Sequence, residues 1–179
     1  MIYNLVDRDN PILSVPLEET TIEDIKKNYD LTPEDLHKNL TQTMAAMGGI
    51  GLSANQCGLS IRAFVMYTNL ETKDVTLYLN PKITSFSDVT TNFVEGCLTY
   101  PYLFIDLKRP DMINFTYTDI NGEKQEGKYT GLSSRIFQHE YDHMEGKNFT
   151  MYASRLKLDM AKKKAQKKIK LLKKSKESA

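Results

Sequence analysis

No stretch of this 179-residue chain approaches the roughly 18 consecutive apolar residues of a membrane helix. The N-terminus, MIYNLVDRDN, carries charges where a secretory signal needs an apolar core. Neither membrane insertion nor export is expected, and a cytoplasmic address follows. Cysteine is scarce, with only Cys57 and Cys97; in a reducing compartment a metal or catalytic role takes precedence over a disulfide. No internal repeat stands out. What is present, 40% hydrophobic and 26% charged residues, describes one ordinary globular domain spanning residues 1–179.

The formal net charge of +1 conceals an asymmetry. Residues 155–179 hold 11 Lys or Arg against 2 Asp or Glu, while the other 154 hold 13 against 21. An acidic body carries a basic tail. That tail begins near Ser154, lacks Pro and Gly, and places Leu158, Ala165, Ile169 and Leu172 near one stripe, which predicts a long basic helix over about 155–175. It reads first as a solvated face packed on its own domain, with a binding arm for an acidic partner as the sharper alternative.

Thr32-Pro33-Glu34-Asp35 reads as a helix start, and Leu36, Leu40, Met44 and Met47 continue it as an apolar stripe, so the spacing predicts a helix over 33–47. Gly48-Gly49 ends it, and IGLSANQCG follows as a loop. From Ile61 to about Thr130 the pattern changes to strands: IRAFVMY, VTLYLN, MINFTYT, and an Asn121-Gly122 turn into EKQEGKYT. Such short connections imply antiparallel pairing. A helix bearing HEYDH follows, with Ser133 or Ser134 as its expected cap and Gly146 closing it. The expected fold class is α+β: antiparallel strands packed around a central helix carrying HExxH, with an N-terminal helix and a long basic C-terminal helix.

HEYDH, residues 139–143, sets two histidines one helical turn apart with a glutamate after the first, a pattern that suits a metal and a base. Leu132, Ile136, His139 and His143 share one spacing, so the histidines continue an inward stripe. A catalytic metal of this class usually has three protein ligands and one position for water. Downstream of His143 the candidates are Glu145, Asp159 and Glu177, with no histidine or cysteine, which weakens a zincin-type protease reading. Upstream, Cys97 in FVEGCLTYP and Cys57 in the glycine loop are rival soft ligands, and spacing does not choose between them. Either could equally be a buried small hydrophobe.

Three segments together resemble peptide deformylase: GGIGLSANQCG at 48–58 is similar to its GxGLAAxQ loop, EGCLTYP at 95–101 to its EGCLS segment, and QHEYDH at 138–143 to its QHExDH helix. The resemblance implies one deformylase-like catalytic domain with Cys97, His139 and His143 as metal ligands. Its metal would be Fe(II), with Zn, Ni or Co as substitutes. The implied reaction is hydrolysis of the N-formyl group from the initiating formyl-methionine of newly made polypeptides, releasing formate. Glu140 would be the general base and acid, and the Gln56 side chain and the Leu98 backbone N–H the oxyanion donors. Ser53 stands where alanine is usual, and Thr99 where serine is. Ile50, Gly51 and Gly96 are expected to pair with an extended peptide, and Ile50, Phe93, Leu132 and Ile136 to line a methionine pocket. Glu95 and Asp142 are candidates for orienting the ligands.

The expected partners are nascent N-formylmethionyl peptides and, through the basic helix, the ribosome, with no membrane and no specific DNA. A bacterial cell, a bacterial virus in its host's cytoplasm and an organelle are all compatible sources. Two other readings compete: a metalloprotease using HEYDH with another ligand, and a noncatalytic module binding RNA or ribosomes through its basic tail.

Overall fold

The computed structural model describes the backbone of residues 1–177 and the side chains of residues 1–175. Among the described residues four α-helices occur: α1 (Ile22–Tyr29), α2 (Pro33–Ala46), α3 (Gly131–Met144) and α4 (Arg155–Glu177). The same residues form seven strands: β1 (Gly51–Ser53), β2 (Ala63–Asn69), β3 (Asp74–Phe86), β4 (Thr90–Cys97), β5 (Tyr100–Pro110), β6 (Met112–Thr118) and β7 (Lys124–Thr130). All pairings are antiparallel, giving a five-stranded sheet in the order β1-β2-β3-β6-β7 and a separate β4-β5 hairpin.

Helix α2 begins as its sequence predicts, with Thr32 capping the Asp35 N–H and Asp35 returning the bond to Thr32. The same Thr-x-x-Asp spacing recurs at Thr21 and Asp24 and starts α1, a second N-terminal helix that the sequence reading passed over. The glycine loop is more ordered than expected. It forms edge strand β1 and then a 3-10 turn over Ala54–Cys57. Neither Ser133 nor Ser134 caps α3; the capping position is Thr130, without a side-chain bond. Gly146 does adopt the left-handed conformation expected of it, with φ +65°.

The large sheet is covered on both faces, which explains why AFVM in β2 is a continuous apolar run with no alternation. On one face, Leu36, Leu40 and Met44 of α2 pack against Ala63, Val65, Leu77 and Leu79. On the other, Ile136, Phe137 and Met144 of α3 pack against Phe64, Met66, Tyr78, Ile113 and Phe115. Phe137 anchors this side, edge-on to Phe64 and Tyr78 with ring centroids at 5.0 and 5.2 Å. Burying such a ring contributes about 1.5–3 kcal/mol. A third cluster joins Leu103, Ile105 and Leu107 of β5 to Leu158, Ala161 and Ala165 of α4. The basic helix therefore packs on its own domain, while Leu172 at its far end is 38% exposed.

The expected architecture needs one correction beyond the extra helix. The α+β class with antiparallel sheets stands, but a helix carrying HExxH is not the metal unit. The potential metal-holding group among the described residues is Cys97, His139 and His143, in which Glu140 takes no part as a ligand. The sulfur comes from the β4-β5 hairpin, so two separate elements must meet to build the site.

Candidate active site

Cys97 owes its position to a tight turn. It pairs with Tyr100 across Leu98 and Thr99, and the register shifts beside Gly96, so the end of β4 delivers the thiol toward α3. On α3, His139 and His143 lie one turn apart with ring centroids 5.3 Å from each other. One donor atom from each of the three residues lies within 4.8 Å of the others, and Cys97 Sγ is 3.4 Å from His143 Nε2. The rival ligands are elsewhere. Cys57 packs against the α2 core and burial pushes its thiol up to about 12. Glu145 pairs with Arg62 at 2.5 Å, Asp159 is exposed, and the side chain of Glu177 lies outside the described residues.

The first histidine is held from behind. His139 Nδ1 lies 3.0 Å from Glu95 Oε2, which turns its other nitrogen toward the thiol. Glu95 is gripped by Arg109 at 2.7 and 2.9 Å and by Arg135 at 2.7 Å. Arg109 also reaches Asp142 Oδ2 at 2.6 Å, and Tyr152 donates to Asp142 Oδ1 at 2.8 Å. Burial alone would raise Glu95, yet hydrogen bonds from His139 and Arg109 bring it down to about 2. Two carboxylates and two guanidiniums thus balance in a buried cluster. Of these, Glu95 and Asp142 were candidates from the sequence, whereas Arg109 and Arg135 were missed. Arg109 had a legible signal: it occupies the inward register of β5 after Leu103, Ile105 and Leu107.

The donor set suits a metal. Burial works against charge on Cys97 and His139, but their mutual hydrogen bond and their neighbours drive the thiol well below its ordinary value and the imidazole up to about 10. A divalent cation held by these ligands would take the place of that proton. A thiolate and two imidazoles make a three-ligand set that leaves a position for water. Glu140 Oε2 is buried with no hydrogen-bond partner among the described residues, the kind of orphaned atom that a site with further occupants explains. Burial raises the Glu140 carboxyl to about 7, against the charges of His139 and His143.

A cleft of about 680 Å³ opens onto this group. Its lining includes Ile50, Gly51, Gln56, Phe93, Gly96, Leu98, Leu132 and Ile136, so every residue expected to bind substrate or donate to it borders one space with Cys97, His139 and Glu140. Met47, Val94, Tyr102 and Phe104 also line it and were not anticipated. Two assignments change in emphasis. Gly51 is buried in β1, and a Cβ there would lie 2.5 Å from Glu140 Oε1 and 2.9 Å from its carboxyl carbon, so the bare backbone makes room for the carboxylate. Phe93 stacks beneath Arg135, 5.2 Å from the guanidinium carbon to the ring centroid, and so supports the charged cluster as well as the cleft.

The comparisons with known proteins agree with this site. The family profile described as polypeptide deformylase matches residues 2–159. The chain is 40% identical over 134 residues to the peptide deformylase of Pelagibacter ubique, covering 74% of this chain and 78% of that protein. Among solved structures, it is similar to a peptide deformylase from Legionella pneumophila at 28% identity and a TM-score of 0.82, over 96% of this chain and 98% of that one. It is also similar to the Plasmodium falciparum peptide deformylase at 31% identity and a TM-score of 0.80, over 95% and 97%.

Proposed function

The chain belongs to the polypeptide deformylase family, metal-dependent hydrolases that remove the N-formyl group from the initiator formyl-methionine of new polypeptides, and we propose how its own residues do so. Cys97, His139 and His143 would hold the metal, which when bound would supply Lewis-acid chemistry and acidify water toward neutral pH. Glu140, poised at about 7, takes the proton of the attacking water and delivers it to the departing amine. Gln56 Nε2 and the Leu98 N–H stabilise charge on the formyl oxygen. The observation that carries this reading is the convergence of the thiol and both imidazoles, with a buried Glu140 whose Oε2 has no partner among the described residues and which borders the same cleft as Cys97 and His139.

An extended N-formylmethionyl peptide is the proposed occupant of the cleft. Strands β1 and β4 each have a single strand neighbour, and both border the cleft, so either edge can add a peptide strand. Ile50 and Leu132, 44% and 40% exposed, with Phe93 and Ile136, offer the apolar surface for a methionine side chain. Fe(II) is the proposed native metal, with Zn, Ni or Co as substitutes, because availability in the cell can reverse the intrinsic preference for Zn.

Residues 1–179 are read as one catalytic unit acting in the cytoplasm. Helix α4 packs Ala165 inward and turns Lys163, Lys167 and Lys170 along another face, which supports docking on ribosomal RNA. No helix of the described residues is long and apolar enough to cross a membrane.

Protein purified anaerobically with Fe(II) is expected to release formate from formyl-Met-Ala-Ser, and Cys97→Ala and Glu140→Ala each to abolish turnover. Absence of formate from fully metal-loaded protein overturns the reading. Lys163→Glu with Lys167→Glu and Lys170→Glu is expected to reduce ribosome co-sedimentation in a salt-dependent way; unchanged co-sedimentation refutes the docking.

A further inference from the structure

We propose that Ser53 and Thr99 are positioning residues that clamp the Gln56 side-chain amide from its two ends. The inference rests on the reading of Gln56 as an oxyanion donor. Gln56 is 2% exposed, and each end of its amide meets a hydroxyl. Its Oε1 accepts from the Ser53 N–H at 3.1 Å and lies 2.9 Å from Ser53 Oγ. Its Nε2 donates to Thr99 Oγ1 at 2.8 Å and reaches Cys97 Sγ at 3.3 Å.

The inventory of an amide makes this arrangement directional. The carbonyl oxygen accepts from the Ser53 backbone N–H and shares the single Ser53 hydroxyl proton with Asn55 Oδ1. The NH2 has two protons: Thr99 Oγ1 accepts one at 2.8 Å, and the other points at Cys97 Sγ at 3.3 Å, on the border of the cleft. Turning the amide over would set its carbonyl against a thiolate and its NH2 against the Ser53 N–H. A donor aimed in advance stabilises developing charge without reorganising during the reaction.

Ser53 and Thr99 are also the two positions at which this chain departs from the family's loop and hairpin patterns. An alanine at 53 would leave the carbonyl with the backbone N–H alone. A serine at 99 would keep the acceptor but lose the β-branch that restricts its rotamer. The two departures therefore meet on the same side chain. Ser53 Oγ also lies 2.8 Å from Asn55 Oδ1, and Asn55 Nδ2 donates to the His143 carbonyl at 2.8 Å. The turn that carries Gln56 is thereby tied to the last turn of the ligand-bearing helix.

The test is a double-mutant cycle read in kcat and KM for formyl-Met-Ala-Ser, with metal content and thermal midpoint measured on every variant. Thr99→Val, which keeps shape and removes the acceptor, is expected to lower kcat about tenfold with KM and metal content changed less than about twofold. Thr99→Ser should recover most of that loss, and Ser53→Ala should lower kcat by roughly threefold. In a Gln56→Ala background neither Thr99→Val nor Ser53→Ala should lower kcat further. If Thr99→Val keeps its full effect there, the clamp is wrong while the role of Gln56 stands. If Gln56→Ala alone leaves kcat unchanged, the oxyanion reading fails and takes the clamp with it. Should Thr99→Val not fold, the Ser53→Ala arm decides by the same two comparisons.

Discussion

On the β4 and α3 side of the cleft, Glu95, Arg109, Arg135, Asp142 and His139 are all buried and all charged or chargeable; on the β1 side, Ser53, Asn55 and Gln56 are equally buried and all neutral. The charged side fixes the orientation of a metal ligand through ion pairs of 2.6–2.7 Å that pass from carboxylate to guanidinium to carboxylate. The neutral side aims one amide through hydroxyl and backbone bonds of 2.8–3.1 Å. The difference is one of consequence. Removing one member of a buried ion-pair cluster strands the others, which costs far more than the net worth of any pair. Removing one neutral hydroxyl forfeits about 1 kcal/mol and shifts an angle. Stability should therefore respond mainly on the charged side, and turnover without stability on the neutral side.

The sharpest way to break this contrast is Arg109→Met. It leaves Asp142 without its guanidinium and Glu95 with Arg135 as its one remaining guanidinium beside His139, and removes the cation stacked 4.3 Å over Tyr152. A loss of about 3–5 kcal/mol is expected, on the order of 10 °C in thermal midpoint for a domain of this size. A midpoint within 2 °C or so of the parent would mean the cluster contributes no such stability. Next comes Gly51→Ala on the opposite wall. The added Cβ displaces Glu140, whose carboxyl it would meet at 2.5–2.9 Å. A fall in kcat of roughly 10²-fold or more is expected, the scale of a lost acid-base group, with urea unfolding of the protein little changed. An unaltered kcat would show that Glu140 has room to act from elsewhere.

These two sides were not equally legible in the sequence. HEYDH, EGCLTYP and the glycine loop brought the ligands, Glu140, Gln56 and the cleft-lining residues to notice because each lies within or beside a short contiguous motif, and the family resemblance of the three motifs together chose Cys97 over Cys57. The α2 start at Thr32 and the strand MINFTYT were equally plain, since capping and alternation are local. What contiguity cannot carry is pairing across 33 to 44 residues, and that is how Arg109 finds Asp142, Arg135 finds Glu95, and Glu95 finds His139. The sequence does show a charged residue in the inward register of β5, but not which carboxylates receive it. Helix α1 was missed for a different reason: its eight residues are short, and the Thr-x-x-Asp cap that announces it precedes only a brief apolar pattern.

Glu95→Asp separates the two duties of the charged side. The shorter side chain keeps the negative charge for Arg109 and Arg135 but withdraws the oxygen that meets His139 Nδ1 at 3.0 Å. Loss of such an outer partner typically weakens metal binding about 10- to 100-fold. Competition against a chelator should register that loss while the thermal midpoint of the chelated protein falls less than in Arg109→Met. Equal retention of metal by both proteins would show that the imidazole needs no support from Glu95.

Tyr152→Phe should have the smallest effect and tests where the charged side ends. Tyr152 closes a 3-10 turn (Phe149–Tyr152) just before α4, and its hydroxyl is the far terminus of the chain of contacts from His139 through Glu95, Arg109 and Asp142. Phenylalanine keeps the ring over Arg109 and leaves Asp142 with its ion pair at 2.6 Å. Only one hydrogen bond at a side chain 47% exposed residue is lost, so about 1 kcal/mol or less is expected. Hydrogen exchange should speed up at the start of α4, with kcat and metal content within about twofold of the parent. A tenfold fall in kcat would instead place Tyr152 inside the catalytic support, because ion pairing at Asp142 alone would then be insufficient to hold α3 in register.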